Sequence, residues 1–292
     1  MHDTILDDRS GLAIVFDGKR IPLKWHRLRR SRSDPLFDEA VLDEGLKRGA
    51  SMEVDLRVLG DGGFAVLHDE TLDRETDGTG RVAACTGAAI GRLHYAGGGR
   101  RVLLAEDLAA RLASAHPQAL LQLDMKDDFA QAGERGVARL AGLFAEHQQN
   151  LIVSGDSTEL TLAIAERLPD MRRGLEPSFR LLDLYRAGRK EALAGQLESE
   201  LRGPLRPHVV YLSWKLVLAA DDDGIDLIRI CHAHAAKVDV WTFNPARPEA
   251  GFTDAEWRDF SRLLALGADQ VTTDEALALQ RAHIRRSAGQ AD

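Results

Sequence analysis

The chain has little cysteine, few aromatics, no surplus of positive charge and no long apolar run, and each shortage removes a class of protein. Two cysteines among 292 residues, Cys85 and Cys231, stand far apart and outside any Cys-x-x-Cys spacing. That excludes a disulfide framework and a thiolate metal centre, and it fits a reducing compartment. Aromatics at 5%, with 44% hydrophobic and 29% charged residues, describe an ordinary soluble chain and exclude disorder. The 38 Lys and Arg against 46 Asp and Glu give a net charge of −8, which argues against nucleic acid or anionic bilayers as general partners. An anionic substrate would need a local basic pocket. No run approaches the roughly 18 apolar residues of a membrane span. The start, MHDTILDDRSG, is acidic and broken by polar residues, and about 283–292 reads as a short polar tail. The expectation is a cytoplasmic protein without stable membrane association; a homo-oligomer stays open.

What is present is an alternation of short apolar runs with longer helical patterns. Strands are expected at Ile21–His26, Ser51–Leu56, Ala119–Asp124, Leu151–Ser154, Arg172–Leu175, Val209–Ser213, Lys237–Thr242 and Gln270–Thr272. Helical periodicity covers Asp38–Arg48, Glu106–Ala115, Gly136–His147, Glu159–Leu168, Leu181–Gln196, Ile225–Ala235 and Ala255–Leu266. Eight βα repeats with right-handed crossovers predict an α/β fold, a TIM (β/α)8 barrel, as one domain over 1–292. One connection is out of scale: about 57–118 follows the second strand, with Gly62-Gly63, a strand-like Phe64–Leu67, a turn-rich Thr76–Gly80 and Gly97–Gly99. It predicts a small insertion. No internal repeat or low-complexity linker marks a further domain.

Strand alternation decides where the polar groups point. Ser51, Glu53 and Asp55 share one face of the second strand, and Gln122, Asp124 and Lys126 share one face of the third. In a barrel the aliphatic face packs on helices, so Glu53, Asp55 and Asp124 point toward the axis at the C-terminal rim. Three carboxylates repel one another unless a cation joins them, and an oxygen-only set favours Mg²⁺ or Ca²⁺ over zinc. A single strand-end Asp is as readily an ion-pair or cap residue; the shared parity of three favours the metal. His26 ends the first strand and His68 the strand inside the insertion. Beside a metal site, one neutral imidazole can take a proton while a protonated one donates. Arg27 and Lys126 would supply charge for phosphate oxygens. Trp241 shares parity with Asp239 and is a candidate apolar wall of the substrate pocket. Cys231-His232-Ala233-His234 reads as ordinary helix sequence, since residues two apart do not share a face. Gly97–Gly99 before Arg100-Arg101 reads as a flexible turn.

Taken in order, these segments resemble the glycerophosphodiester phosphodiesterase family, within the phosphatidylinositol phospholipase C-like phosphodiesterases. The resemblance runs from about residue 21 to 276. The family's His-Arg-Gly is met by His26-Arg27-Leu28, its Glu-x-Asp by Glu53-Val54-Asp55 and its His-Asp by His68-Asp69. Leu72–Gly80, Val240–Asn244 and Gly267–Asp274 are similar to later family segments. The resemblance implies a TIM barrel with an insertion after the second strand and a divalent metal on Glu53, Asp55 and Asp124. It implies acid–base catalysis by His26 and His68, phosphate contacts from Arg27 and Lys126, and release of glycerol 3-phosphate and an alcohol, a reaction of lipid and glycerol metabolism on a small-molecule phosphodiester.

Three departures stand out. Leu28 replaces glycine, which excludes a substrate needing close backbone approach there. Pro35-Leu36-Phe37-Asp38 replaces Pro-Glu-Asn-Thr. Asp124 replaces the more frequent glutamate and, with Lys126, resembles sphingomyelinase D enzymes. The alternatives are therefore sphingomyelinase D-like or phospholipase D-like cleavage of lipid phosphodiesters to a cyclic phosphate, or a barrel that binds a phosphorylated ligand without turning it over.

Overall fold

The computed structural model describes residues 10–97 and 100–288. Among them are ten strands: β1 Ala13–Phe16, β2 Lys19–Trp25, β3 Ser51–Val58, β4 Phe64–Val66, β5 Leu120–Met125, β6 Leu151–Gly155, β7 Arg172–Leu175, β8 Val209–Ser213, β9 Lys237–Trp241 and β10 Gln270–Thr273. The chain divides into two compact units, Met1–Ser33 with Glu176–Asp292, and Asp34–Leu175.

In the Asp34–Leu175 unit the strand order is β7-β6-β5-β3-β4. β5 pairs in parallel with β3 and with β6, and β6 with β7. Every residue of β3 except Arg57 is buried, as a parallel strand covered on both faces requires. β4 turns back antiparallel onto the end of β3, matching Leu56 with Val66. The long stretch before β5 also carries a 3-10 turn at Val82–Ala84 and helices at Gly87–Ile90 and Ala105–Leu112. Helix Glu39–Arg48 is capped by Asp38, whose side chain accepts from the Ala40 amide at 2.8 Å, and it ends at Gly49 in the left-handed region. The departure at 35–38 thus has a local purpose: Asp38 starts the helix, and the Phe37 ring is fully buried 5.6 Å from Tyr95.

In the other unit the order is β1-β2-β10-β9-β8. β10 is parallel to β2 and β9, and β8 is parallel to β9. β1 and β2 form a hairpin through Asp17 (φ 47°) and Gly18 (φ 74°), the positive-φ pair of a two-residue turn. Each unit therefore supplies four parallel strands with their helices, and together they make the eight βα repeats of the predicted TIM (β/α)8 barrel fold.

Several expected boundaries move. The patterned stretch Leu181–Gln196 is two helices, Ser178–Arg186 and Ala192–Leu201, because Gly188 takes φ 73° between them. The helix expected from Gly136 is preceded by a helical turn from Phe129, behind the cap Asp128, which accepts from the Gln131 amide at 2.9 Å, and Gly133 (φ 59°) breaks the two apart. β2 stops at Trp25, and His26–Leu28 is a 3-10 turn rather than a strand end. Helices Trp214–Asp222 and Ala276–Ala288 were not anticipated. Of Gly97–Gly99, residues 98 and 99 lie outside the described residues, as does 289–292 of the expected tail.

Candidate active site

The carboxylates arise from register. Within the Asp34–Leu175 unit, β3 and β5 pair Glu53 with Gln122 and Asp55 with Asp124. Paired residues of parallel neighbours point the same way, so Asp55 and Asp124 stand side by side. Glu53 and Asp55 are 4% and 1% exposed, and Glu53, Asp55 and Asp124 each offer a ligand atom within 4.8 Å of the others. Ser154, opposite Asp124 on β6, accepts from Gln122 Nε2 at 2.8 Å below them. Lys126 closes the group: its Nζ lies 2.9 Å from Asp55 Oδ1 and 2.5 Å from Asp124 Oδ2. Burial opposes its charge, but Asp124, Asp55 and Glu53 outweigh burial and hold the ammonium well above the usual lysine range. A hard divalent cation fits three such carboxylates, and the expected ligand residues are brought together.

His68 follows β4 in the same unit. Its amide and that of Asp69 both donate to Glu75 Oε2, at 2.8 and 2.9 Å. Its Nδ1 lies 2.8 Å from Asp69 Oδ1. Arg74 grips the same carboxylate from Nε and Nη2, at 2.5 and 2.6 Å. This Arg74 contact, aided by His68 and opposed by partial burial, holds Asp69 down at about 2. An ionised Asp69 can only accept, so Nδ1 carries the proton and Nε2 is left as the ring's basic nitrogen.

The other unit repeats the arrangement around His26. Its Nδ1 lies 2.8 Å from Asp274 Oδ1, to which Arg29 Nη2 donates at 2.6 Å, while Asn244 Nδ2 donates to Oδ2 at 2.8 Å. Against burial that would raise it, these contacts with His26, Arg29 and Asn244 hold Asp274 well below the usual carboxylate range. Asn244 is itself fixed, accepting from Thr273 Oγ1 and the Asp274 amide. Arg27 and Leu28 both take left-handed backbone, φ 52° and 56°, and Leu28 is fully buried. Leucine thus occupies a conformation that glycine adopts without strain. Trp241, at the end of β9, lies 5.9 Å from Phe179, whose ring is 60% exposed. His232 of the Cys-His-Ala-His run bonds Asp269, and Cys231 is buried, as the bland reading expects.

With this geometry in hand, the chain can be set beside known proteins. Residues 40–162 match the model of the glycerophosphoryl diester phosphodiesterase family. That stretch is similar to this family of phosphoric diester hydrolases. The matched segment carries Glu53, Asp55, His68, Asp124 and Lys126. No curated protein matches the chain. Solved structures that share this fold include the following three. A glycerophosphodiester phosphodiesterase from Agrobacterium tumefaciens is 19% identical, with TM-score 0.61 over 91% of this chain and 99% of its own. An Oleispira antarctica phosphodiesterase, solved with its product sn-glycerol 3-phosphate, is 20% identical, with TM-score 0.65 over 90% and 97%. A glycerophosphodiester phosphodiesterase from Thermotoga maritima is 18% identical, with TM-score 0.59 over 88% and 96%. At these identities the likeness is one of fold.

The sequence motifs did not single out Asp69, Glu75, Asp274, Asn244 and Arg29 as supports of the two histidines. Asp69 had the clearest signal, a carboxylate adjacent to its histidine. Asp274 lies 248 positions from His26, and only the pairing of β10 with β2 brings them together.

Proposed function

We propose that the chain hydrolyses small glycerophosphodiesters to glycerol 3-phosphate and an alcohol, using a divalent metal on Glu53, Asp55 and Asp124 and proton transfer by His26 and His68. The observation that carries this reading is the trio of buried carboxylates closed by Lys126, in the unit that also holds the His68–Asp69 pair. Three carboxylates gathered within 4.8 Å of one another repel unless cations join them, and Lys126 is one such cation.

Each histidine is oriented through Nδ1 by an ionised aspartate, so each offers Nε2 for proton transfer. In the proposed reaction water attacks phosphorus directly, or the adjacent glycerol hydroxyl attacks first to give a cyclic glycerol phosphate that water opens to glycerol 3-phosphate in a second step. One imidazole accepts the nucleophile's proton, the bond from phosphorus to the alcohol oxygen breaks, and the other imidazole, protonated, gives its proton to that oxygen. Lys126 and Arg27 bind the non-bridging oxygens. Mg²⁺ or Ca²⁺, when bound, would neutralise charge on the phosphoryl group. Trp241 and Phe179 are assigned to the alcohol side of the substrate. The product found in the Oleispira antarctica enzyme supports a small water-borne ligand of this kind, and no helix among the described residues is long and apolar enough to cross a membrane.

The test is release of glycerol 3-phosphate from the choline, ethanolamine, inositol and glycerol phosphodiesters, with Mg²⁺, with Ca²⁺ and with EDTA. Product is expected with metal only, and His26→Ala or His68→Ala should cost roughly 10²–10⁴-fold in kcat. Full activity in either variant would sink the reading. A cyclic phosphate seen by phosphorus NMR, from lysolipid and not from these substrates, would redirect it to the sphingomyelinase D-like reaction.

A further inference from the structure

Arg57 lies on β3, two residues beyond Asp55 and on the same strand face. Its side chain is 12% exposed, and its guanidinium leaves the carboxylate group alone. It reaches two backbone carbonyls instead: Nε donates to His68 O at 2.9 Å and Nη1 to Lys126 O at 2.8 Å. Neither carbonyl lies within a strand, since β4 ends at Val66 and β5 at Met125. Asp127 locks the guanidinium, with Oδ1 2.8 Å from Nη1 and Oδ2 accepting from the Val58 amide at 2.7 Å. Asp127 is itself only 5% exposed.

From this geometry we infer that Arg57, held by Asp127, is a positioning residue that sets the proton-transfer histidine His68 and the phosphate-binding Lys126 against each other. This rests on the roles proposed above for those two residues. The segment carrying His68 is then fixed from both sides: Glu75 takes its amide and Arg57 its carbonyl. Lys126 is anchored likewise, its amide donating to Leu56 O at 3.0 Å and its carbonyl accepting from Arg57. Planarity suits the guanidinium to the task. Its donors diverge in a fixed fork, so one side chain holds two carbonyls at a set spacing, which a flexible ammonium cannot do. The ion pair with Asp127 lies almost wholly out of solvent, so side-chain motion is restricted on both partners.

The test compares Arg57→Met, Arg57→Lys and Asp127→Asn with the full-length wild type, each below its melting temperature. Because misplacement by about 1 Å can cost roughly a hundredfold, Arg57→Met is expected to lose ten- to a hundredfold in kcat. KM for the phosphodiester should rise as Lys126 shifts, with Arg57→Lys and Asp127→Asn falling between. A role in stability alone would not reproduce two further readouts. The His68 Cε1 signal in proton–carbon NMR should move in Arg57→Met, while the His26 signal stays. Binding of sn-glycerol 3-phosphate should weaken while Mg²⁺ binding, which uses Glu53, Asp55 and Asp124, is retained. Wild-type kcat with an unmoved His68 signal in folded Arg57→Met overturns the inference. So does parallel loss of Mg²⁺ binding in all three variants, which would mean collapse of the unit. If the wild type turns over no glycerophosphodiester, the proposed function fails, and the His68 signal with product binding still decides for or against the clamp.

Discussion

Lys126 is the resident cation of the carboxylate group, and that makes it a competitor of any metal. Its Nζ contacts Asp55 and Asp124 at 2.9 and 2.5 Å, so a divalent ion must share or displace those contacts. A pair of unit charges 4 Å apart is worth about 1 kcal/mol in water and about 4 kcal/mol at an effective dielectric near 20. The lysine side chain is 21% exposed, which places its contribution between those limits. Lys126→Met should therefore tighten Mg²⁺ binding by roughly 1.5–3 kcal/mol, or about ten- to a hundredfold. Calorimetric titration at constant pH reads this directly, and Lys126→Arg, which keeps the charge, should bind metal as the wild type does. Turnover should move the opposite way, because the phosphate loses a cation: kcat/KM is expected to fall by roughly 10²–10³. The melting temperature carries the same information by mass action, with Lys126→Met less stable than wild type in EDTA and gaining more on adding Mg²⁺. Metal affinity in Lys126→Met equal to or weaker than wild type would refute the reasoning, since the ammonium would then be helping to build the site rather than competing for it.

Acid stability should be lost in two stages. His283, buried beside Trp257 and Phe260, is depressed by burial to about 4. The unfolded chain therefore takes up this proton first, and stability falls between about pH 6.5 and pH 4. Asp69, held at about 2, and Asp274, held well below the usual range, contribute stability that is complete above about pH 4 and lost as pH falls toward 2. Urea midpoints against pH check both stages: His283→Gln should flatten the upper one and Asp69→Asn the lower, and unchanged slopes would contradict the assignment. The pair Lys24–Asp239, at 2.8 Å with side chains 3% and 0% exposed, supplies a further prediction. Asp239→Ala should cost roughly 3–5 kcal/mol by taking the paired carboxylate from a buried ammonium, and Lys24→Met with Asp239→Leu should recover most of it. Denaturation that finds the single variant within about 1 kcal/mol of wild type would show the lysine finding other compensation.

Features with a local period were legible in the sequence. Strand parity placed Glu53, Asp55, Asp124 and Lys126 on common faces, and the register of β3 with β5 brings them together. What escaped was set by single backbone conformations or by distant partners. His26 was expected to end a strand, but positive φ at Arg27 and Leu28 folds the chain into a 3-10 turn there; neither residue type advertises such a conformation. The pair Arg57–Asp127 joins side chains 70 positions apart, and Arg57 otherwise reaches the main-chain carbonyls of His68 and Lys126, which leave no mark in side-chain pattern. The missed hairpin β1–β2 did carry its signal, Asp17-Gly18, between two short apolar runs.

The two histidines are mounted by the same device made from different parts. Around His68 it is Asp69 gripped by Arg74; around His26 it is Asp274 gripped by Arg29. In each case the arginine does for the aspartate what the aspartate does for the imidazole. It keeps the carboxylate ionised, and an ionised carboxylate accepts from Nδ1–H and so disfavours the other tautomer. A histidine kept only for packing has no use for a fixed tautomer. One that must present the same nitrogen each time does, and two of them in one chain, each with its own carboxylate and guanidinium, suit the acid and base proposed above.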